Sequence, residues 1–381
     1  MNGLVIIMFK REIVGVLYVD FCKAFDLVNH NLLLEKMKMY KFHANSLAWF
    51  SSYLSDRKQC VKINKTMSDQ LPITTGVPQG SILGPLSFLL FVNDLPLQDS
   101  LGGLNLFADD ATDSAHGTDI KTIEKQLQTK ANNVDEWCHA NHMVLRVDKT
   151  KGMLMGTEQK LKTIPNPENC LNITVQGQKI EQVTRKRLLG VQIDSSLSWN
   201  DQVKKVRKTA LFKISILRKI KKYLPLDIRK MFFNYYIRPH LTYCSSIWGQ
   251  TTEKNLDTVN KLQKQTARLI LDKDYHSHNP SNEMFKELQW KTFPDSVQYQ
   301  QALLVYKSLN NLAPPYMNGM FKYVKEIGRS NLRSVSNNKL FVPRAHHKSI
   351  RYAGPRIWNK LTNDLRTSRH IKQFKQRYQT A

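Results

Sequence analysis

Apolar residues run without a break from Ile13 to Val19 and stop directly at Asp20. A β-branched run of this length predicts a buried core strand ending on a carboxylate. A second pattern starts at Leu104, where Leu, Asn, Leu, Phe and Ala lead into Asp109 and Asp110 and then Ala and Thr. Period-2 alternation broken by a polar pair predicts two strands joined by a tight turn, with the aspartates at its tip. The stretch Leu86 to Val92 reads as a buried helix with Pro85 near its first turn. Steps of three and four through Ile120, Ile123, Leu127, Ala131, Val134 and Trp137 predict an amphipathic helix over residues 119–140, and a shorter one is expected over 31–40.

Farther along, the polar, Pro-containing stretch 156–169 reads as a linker or extended loop. Residues 173–180 predict a hairpin turning at Gly177. A long helix is expected over 201–223, with Val203, Val206, Ala210, Ile214, Leu217 and Ile220 on one stripe and lysines and arginines crowding the rest. The chain beyond residue 223 reads as mostly helical. These patterns give an α+β chain in three parts: a mixed α/β part over 1–155, a hairpin with helices over 156–250, and a basic helical region over 251–381.

Charge separates the parts further. Residues 1–155 hold sixteen Lys and Arg against sixteen Asp and Glu, so the whole net charge of +26 resides in residues 156–381. Such a surface attracts polyanions and binds phosphate through counterion release. Membranes are the rival polyanion, but the apolar stretch Leu4 to Phe9 is too short to span a bilayer or to form a convincing signal sequence. Five scattered cysteines without CxxC spacing argue against a zinc knuckle and for reduced thiols in an intracellular protein of the nucleus or cytoplasm.

Two adjacent carboxylates at a hairpin tip repel each other unless a cation is bound nearby, and oxygen ligands of this kind favour Mg2+ or Mn2+. A bare Asp-Asp pair is also common in solvated turns, and Asp20 alone could cap a helix or turn. Strand-end acids on two core strands together are what a two-metal site requires. Asp113, farther along the same strand, is read as outside that site. Between the acids lies Gly76-Val77-Pro78-Gln79-Gly80-Ser81-Ile82-Leu83-Gly84-Pro85. Its glycines permit close backbone approach to a flat ligand, and Gln79 offers both a donor and an acceptor. The bland reading is a loop before a helix.

Asp20-Phe21-Cys22-Lys23-Ala24-Phe25-Asp26, Gly76 to Pro85 and Phe107-Ala108-Asp109-Asp110 resemble motifs A, B and C of reverse transcriptases, in the family's order and at similar spacing. The forms are most similar to those of non-LTR retrotransposons of the jockey and chicken-repeat kind. The resemblance continues through Trp137, Asn141, Leu145 and Lys149-Thr150-Lys151, which are similar to motif D. Arg187 to Val191 is similar to the primer-grip segment, and 224–249 and 352–359 are similar to the tails of such polyproteins.

The resemblance implies a palm, a helical thumb and a mostly helical basic C-terminal region. It makes Asp20, Asp109 and Asp110 the catalytic and metal-binding acids, with the Phe21 carbonyl as a further ligand. Phe25 would discriminate against a ribose 2′-hydroxyl, with ordinary core packing as its alternative. Gln79 and Gly80 would line the nucleotide pocket, and Lys149 or Lys151 would protonate the leaving pyrophosphate. The segment containing Leu189 and Gly190 would hold the primer end, while Lys204, Lys205, Arg207 and Lys208 would track the template–primer duplex. A solvated basic face or a nuclear-import patch is the alternative for those four.

The implied partners are an RNA template, a DNA primer and deoxynucleoside triphosphates, with no membrane. About twenty residues precede Asp20, so the fingers and endonuclease portions of such polyproteins are expected to be missing upstream. An RNA- or DNA-binding remnant without catalysis is the alternative; a Mg2+-dependent nuclease using the same acids is disfavoured, because no obvious His or Lys stands beside them to act on water and the Gly/Pro/Gln segment would have no purpose. The aromatics Trp290, Tyr316 and Trp358 are expected in cores.

Overall fold

A computed structural model describes residues 13–99, 101–164, 170–273, 281–327, 338–344 and 349–380. Residues 4–9 and 165–169 lie outside them, so the N-terminal apolar stretch and the end of the expected linker are not described. The chain is mixed α/β and divides into two units, one spanning Arg11–Arg185 and one containing Lys186–Ala381.

In the first unit, β1 (Ile13–Val19) is buried at every position and is paired on both edges. The elements around it are the helices α1 (His30–Met39), α2 (Ala44–Leu54), α3 (Leu83–Val92) and α4 (Ile120–Ala140) and the strands β2 (Asn105–Phe107), β3 (Asp110–Gly117), β4 (Lys151–Met155) and β5 (Glu181–Gln182). The sheet order is β5-β4-β1-β3-β2. Strand β1 runs antiparallel to β3, with Val19 opposite Ala111, and antiparallel to β4, with Tyr18 opposite Lys151. Helix α4 lies on this sheet through Ile123, Leu127, Ala131, Val134 and Trp137. Gly15 permits the close approach: a Cβ there would stand 2.4 Å from Ile123 and 2.6 Å from Leu127. Asp119 caps α4 by accepting from the Thr122 amide at 2.7 Å.

Two buried lysines fix the rest of this core. Lys36 on α1 donates to the Phe91 carbonyl at 2.8 Å and pairs with Asp94 at 2.7 Å, its ammonium lying over the Phe91 and Trp137 rings. Lys130 on α4 pairs with Asp99 at 2.8 Å and Asp113 at 2.7 Å and donates to the Gly102 carbonyl at 2.6 Å. Burying these charges costs several kcal/mol per ion unless such partners are present. Burial pulls the Lys36 pKa down, with Asp94 opposing, and pushes the Asp113 carboxyl above the usual range, with Lys130 opposing.

The expected break near residue 155 is corrected. Leu171, Ile173, Val175 and Ile180 join the core of the first unit, and β5 pairs with β4. Apolar residues every second position after 170 draw this segment onto the sheet, so the division falls after Arg185. Within the expected linker, residues 158–162 form a short helix.

The second unit holds thirty-seven Lys and Arg against twelve Asp and Glu over residues 186–381. It opens with the strands β6 (Arg185–Leu188) and β7 (Val191–Asp194), followed by helices α5 (Asn200–Ile220), α6 (Glu253–Ile270), α7 (Phe293–Leu309), α8 (Ile350–Lys360) and α9 (Ile371–Thr380). The Asp194 carboxylate gathers the amides of Ser196, Ser198 and Trp199 at 2.9–3.1 Å, which turns the chain into α5. The buried stripe of α5 is Val203, Val206, Ala210, Ile214 and Leu217. Tyr306, Trp358 and Phe374 centre a separate core among α7, α8 and α9, and Trp290 stacks on Phe233 at 3.8 Å. Tyr316 departs from expectation: it lies in the short helical turn Pro315–Met317 and is 79% exposed. No helix among the described residues is long and apolar enough to cross a membrane.

Candidate active site

Asp20 follows the last residue of the central strand and is held from one side by its backbone. Its amide donates to Thr150 Oγ1 at 3.3 Å and its carbonyl accepts from the Arg146 amide at 2.8 Å. Phe21 forms an isolated bridge with Leu145, and the Cys22 amide donates to the Val144 carbonyl at 2.8 Å. Those bonds belong to the residues on either side of Phe21, so by strand alternation its own amide and carbonyl face the opposite edge, where β3 runs.

On that edge, Phe107 pairs with Asp110, and Ala108 and Asp109 make the two-residue turn, Ala108 at φ +52°. The β1–β3 register ends at Val19 opposite Ala111, so Asp20 and Asp110 each lie one residue beyond the last pair, at the same end of the two strands. Asp20 is half-buried, whereas Asp109 and Asp110 are exposed. The sheet thus carries all three acids to one end.

They do not close into the expected cage: among the described residues no three His, Cys, Asp or Glu side chains are gathered as a metal-binding group. Asp109 sits in the turn, off the register that aligns Asp20 with Asp110, and like charges favour separation. Hard carboxylate oxygens on a strand-end framework nevertheless suit Mg2+ or Mn2+ as donors.

The glycine-rich segment is knitted to the loop after Asp20. The Val77 amide donates to the Phe25 carbonyl at 2.8 Å, the Gly76 amide to the Val28 carbonyl at 2.7 Å, and His30 Nε2 to the Gly76 carbonyl at 2.7 Å. Gly76 has φ +89°, and a Cβ there would lie 2.8 Å from the Asp26 carbonyl oxygen, so glycine is required. Phe25 is half-buried and stacks on Phe88 of α3, centroids 4.4 Å apart. Gln79 is exposed and donates its amide to Asp26 Oδ1 at 2.9 Å. Gly80, at φ +82°, faces open space. Ser81 Oγ accepts from the Gly84 amide at 2.9 Å and donates to the Pro78 carbonyl at 2.7 Å, which shapes the entry to α3.

Two of the lysines expected to meet nucleotide or nucleic acid, Lys151 and Lys205, are engaged within the protein. Lys151 pairs with Glu181 at 2.7 Å and donates to the Asp148 carbonyl, which ties β4 to β5 instead of leaving the ammonium available to a nucleotide. Lys149 is exposed. In the second unit, Lys205 donates to the Gly190 carbonyl at 2.6 Å and so supports the β6–β7 turn, where Leu189 and Gly190 have φ +45° and +82°. Tyr243 OH donates to the Leu189 carbonyl at 2.8 Å and braces the same turn. Burial and the nearby Arg187 lower the Lys205 pKa.

Lys204 and Arg207 face a groove of about 860 Å³ that α6 completes with Lys254 and Lys261, while Lys208 is exposed elsewhere on α5. Sequence reasoning misses the α6 lysines because their spacing of seven residues is visible as a partner for α5 only once the two helices pack. Arg146 and Thr150, which hold Asp20, carry no sequence signal of that role.

Residues 9–193 match the family Reverse transcriptase (RNA-dependent DNA polymerase). This segment is a reverse transcriptase domain. Its character is that of the jockey-like non-LTR retrotransposons. The chain is 26% identical over 277 residues to "Probable RNA-directed DNA polymerase from transposon BS" of Drosophila melanogaster, covering 70% of this chain and 30% of that protein. It is 24% identical over 295 residues to the corresponding X-element protein of the same species, covering 76% and 31%. It is 26% identical over 272 residues to "RNA-directed DNA polymerase from mobile element jockey" of Drosophila funebris, covering 68% and 29%. The chain therefore spans roughly a third or less of the length of these relatives.

Proposed function

We propose that the chain carries out RNA-directed DNA synthesis as part of a larger non-LTR retrotransposon protein, in the nucleus or cytoplasm. The observation that supports this reading is the register that leaves Asp20 and Asp110 at the same end of the sheet, with Asp109 in the adjoining turn. The first unit acts as the palm and α5 as the thumb, with the basic C-terminal helices holding RNA.

In the reaction, the primer 3′-oxygen forms a bond to the α-phosphorus of a deoxynucleoside triphosphate while the bond to the β-phosphate oxygen breaks and pyrophosphate leaves. Asp20, Asp109 and Asp110 would hold two Mg2+ or Mn2+ ions, which activate the attacking oxygen and stabilise the leaving one. Phe25, braced by Phe88, presents bulk against a ribose 2′-hydroxyl. The Gln79–Asp26 bond positions the rim of the nucleotide pocket, and Gly80 leaves room above it. Lys149 or Lys151, the latter paired with Glu181, would deliver the proton to pyrophosphate. The turn at Leu189 and Gly190, braced by Lys205 and Tyr243, holds the primer end.

The test is oligo(dT) extension on poly(rA), by the chain alone and by the chain fused behind the preceding segment of the jockey relative. Phosphoryl transfer depends chiefly on positioning, so the fusion should be the more active by orders of magnitude. Asp109→Asn and Asp110→Asn should each remove that activity. A folded fusion that binds primer–template without extending it would favour the reading as a binding protein without catalysis.

A further inference from the structure

Helix α2 carries a stack of side chains that the polymerase reading leaves without a role. Trp49 and Tyr53, one helical turn apart, lie with their rings nearly parallel, 5° between planes and centroids 5.6 Å apart. Arg57 continues the stack, its guanidinium 4.4 Å from the Tyr53 centroid and fixed by a 2.6 Å hydrogen bond from Nε to the Tyr53 carbonyl. Phe50 meets the Trp49 ring edge-on at 5.2 Å and is itself buried, so the indole is anchored to the core. Yet Trp49 is 53% exposed, the only one of the six tryptophans that is exposed.

The charge of the sequence that carries the stack is equally uneven. Residues 41–67 hold five Lys and Arg, namely Lys41, Arg57, Lys58, Lys62 and Lys65, against one acid, Asp56. Residues 1–185 as a whole carry twenty Lys and Arg against nineteen Asp and Glu, so this segment is a local concentration of positive charge. A rigid aromatic face bordered by cations is what an unpaired base and its phosphate require: the base stacks and the cations screen the backbone.

We infer that the Trp49–Tyr53–Arg57 stack is a docking platform for single-stranded nucleic acid, on which an unpaired base of the template continues the stack from Trp49. The inference rests on the polymerase reading for the identity of the strand, but not on the aspartates. Stacking is tolerant of sequence and of sugar, so oligo(U) and oligo(dT) are both ligands, and a duplex with no unpaired end is not.

The experiment uses the full chain at elevated salt, where phosphate contacts made by the basic second unit are weakened. Because the other tryptophans are buried or half-buried, quenching of tryptophan emission by oligo(U) reads Trp49 directly. The expected result is saturable quenching with oligo(U) and with oligo(dT), lost in Trp49→Phe although that variant retains most of the affinity measured by anisotropy. Trp49→Ala should weaken single-strand binding about tenfold and leave blunt-duplex binding unchanged, with folding confirmed by circular dichroism. Unchanged single-strand affinity in Trp49→Ala, or equal losses for single strand and duplex, would overturn the inference. So would protection of Trp49 through self-association, detected by sedimentation without nucleic acid. Binding requires none of the acids, so a negative result here leaves the polymerase reading standing, and loss of extension with intact quenching leaves this one standing.

Discussion

Lys130 and Asp113 form a 2.7 Å ion pair with both side chains only 2% exposed. In the sequence Asp113 reads as a bystander on the strand that begins at Asp110, but it is part of the internal framework of that strand. Asp113→Ala would leave Lys130 with Asp99 as its one remaining carboxylate partner, beside the Gly102 carbonyl, in a buried setting. We expect a loss on the order of 3 kcal/mol in denaturant unfolding. An unchanged midpoint would show that the pair adds no stability.

Cys138 gives a pH prediction. Burial, reinforced by Asp135, pushes its thiol up to about 12 from an ordinary value of 9.0. A raised folded pKa means that the stability it contributes is intact below pH 9 and is lost as pH rises towards 12, because the unfolded chain releases the proton first. Wild type should therefore lose up to about 1.4 kcal/mol per pH unit more than Cys138→Ala across that window. Equal alkaline slopes would refute it. Iodoacetamide should label the half-buried Cys22 and Cys60 in the native state and spare Cys138.

The groove between α5 and α6 predicts salt-dependent binding. Reversing Lys204, Arg207, Lys254 and Lys261 to Glu should weaken binding of a ribo-oligonucleotide and flatten the log affinity–log salt slope by roughly 0.7 to 0.9 per lost contact. Lys205→Glu should act differently: it removes the support of the Gly190 carbonyl and should lower thermal stability as well. An unaltered slope in the fourfold variant would place the phosphate contacts elsewhere.

Phe25→Ala should relax discrimination against ribonucleotides in an active polymerase, measured as the ratio of kcat/KM for deoxy- and ribonucleotides. Phe25→Tyr, which keeps the ring on Phe88, should retain most of it. An unchanged ratio in Phe25→Ala would assign Phe25 to core packing alone.

Local pattern carries much of this fold. The β1 run stopping at Asp20, the periodicity of α4 and α5, and the hairpin around Gly177 are each set by residues near in sequence, and the structure forms them, with α5 giving way to a 3-10 turn at Lys221–Tyr223. The buried charges are not legible. Lys36 and Lys130 occupy helix positions that read as polar surface, and their burial depends on Asp94 and Asp99, 58 and 31 residues away. The same holds at the site, where Lys151 looks like a free cation until Glu181 is brought beside it by a parallel strand pairing. The positions of Asp20 and Asp110 are legible because a strand register propagates; the placement of Asp109 depends on one turn, which periodicity does not specify.

On the proposed reading, these strand-end acids hold divalent metal. Calorimetric titration of Mn2+ in the presence of a deoxynucleoside triphosphate, corrected for binding to the nucleotide alone, tests it most directly. The predicted result is binding by the wild-type chain, its loss in Asp20→Asn, Asp109→Asn and Asp110→Asn, and its retention in Asp69→Asn, an exposed acid in another part of the unit. Mn2+ binding that persists in all three variants, each shown to be folded, would contradict it.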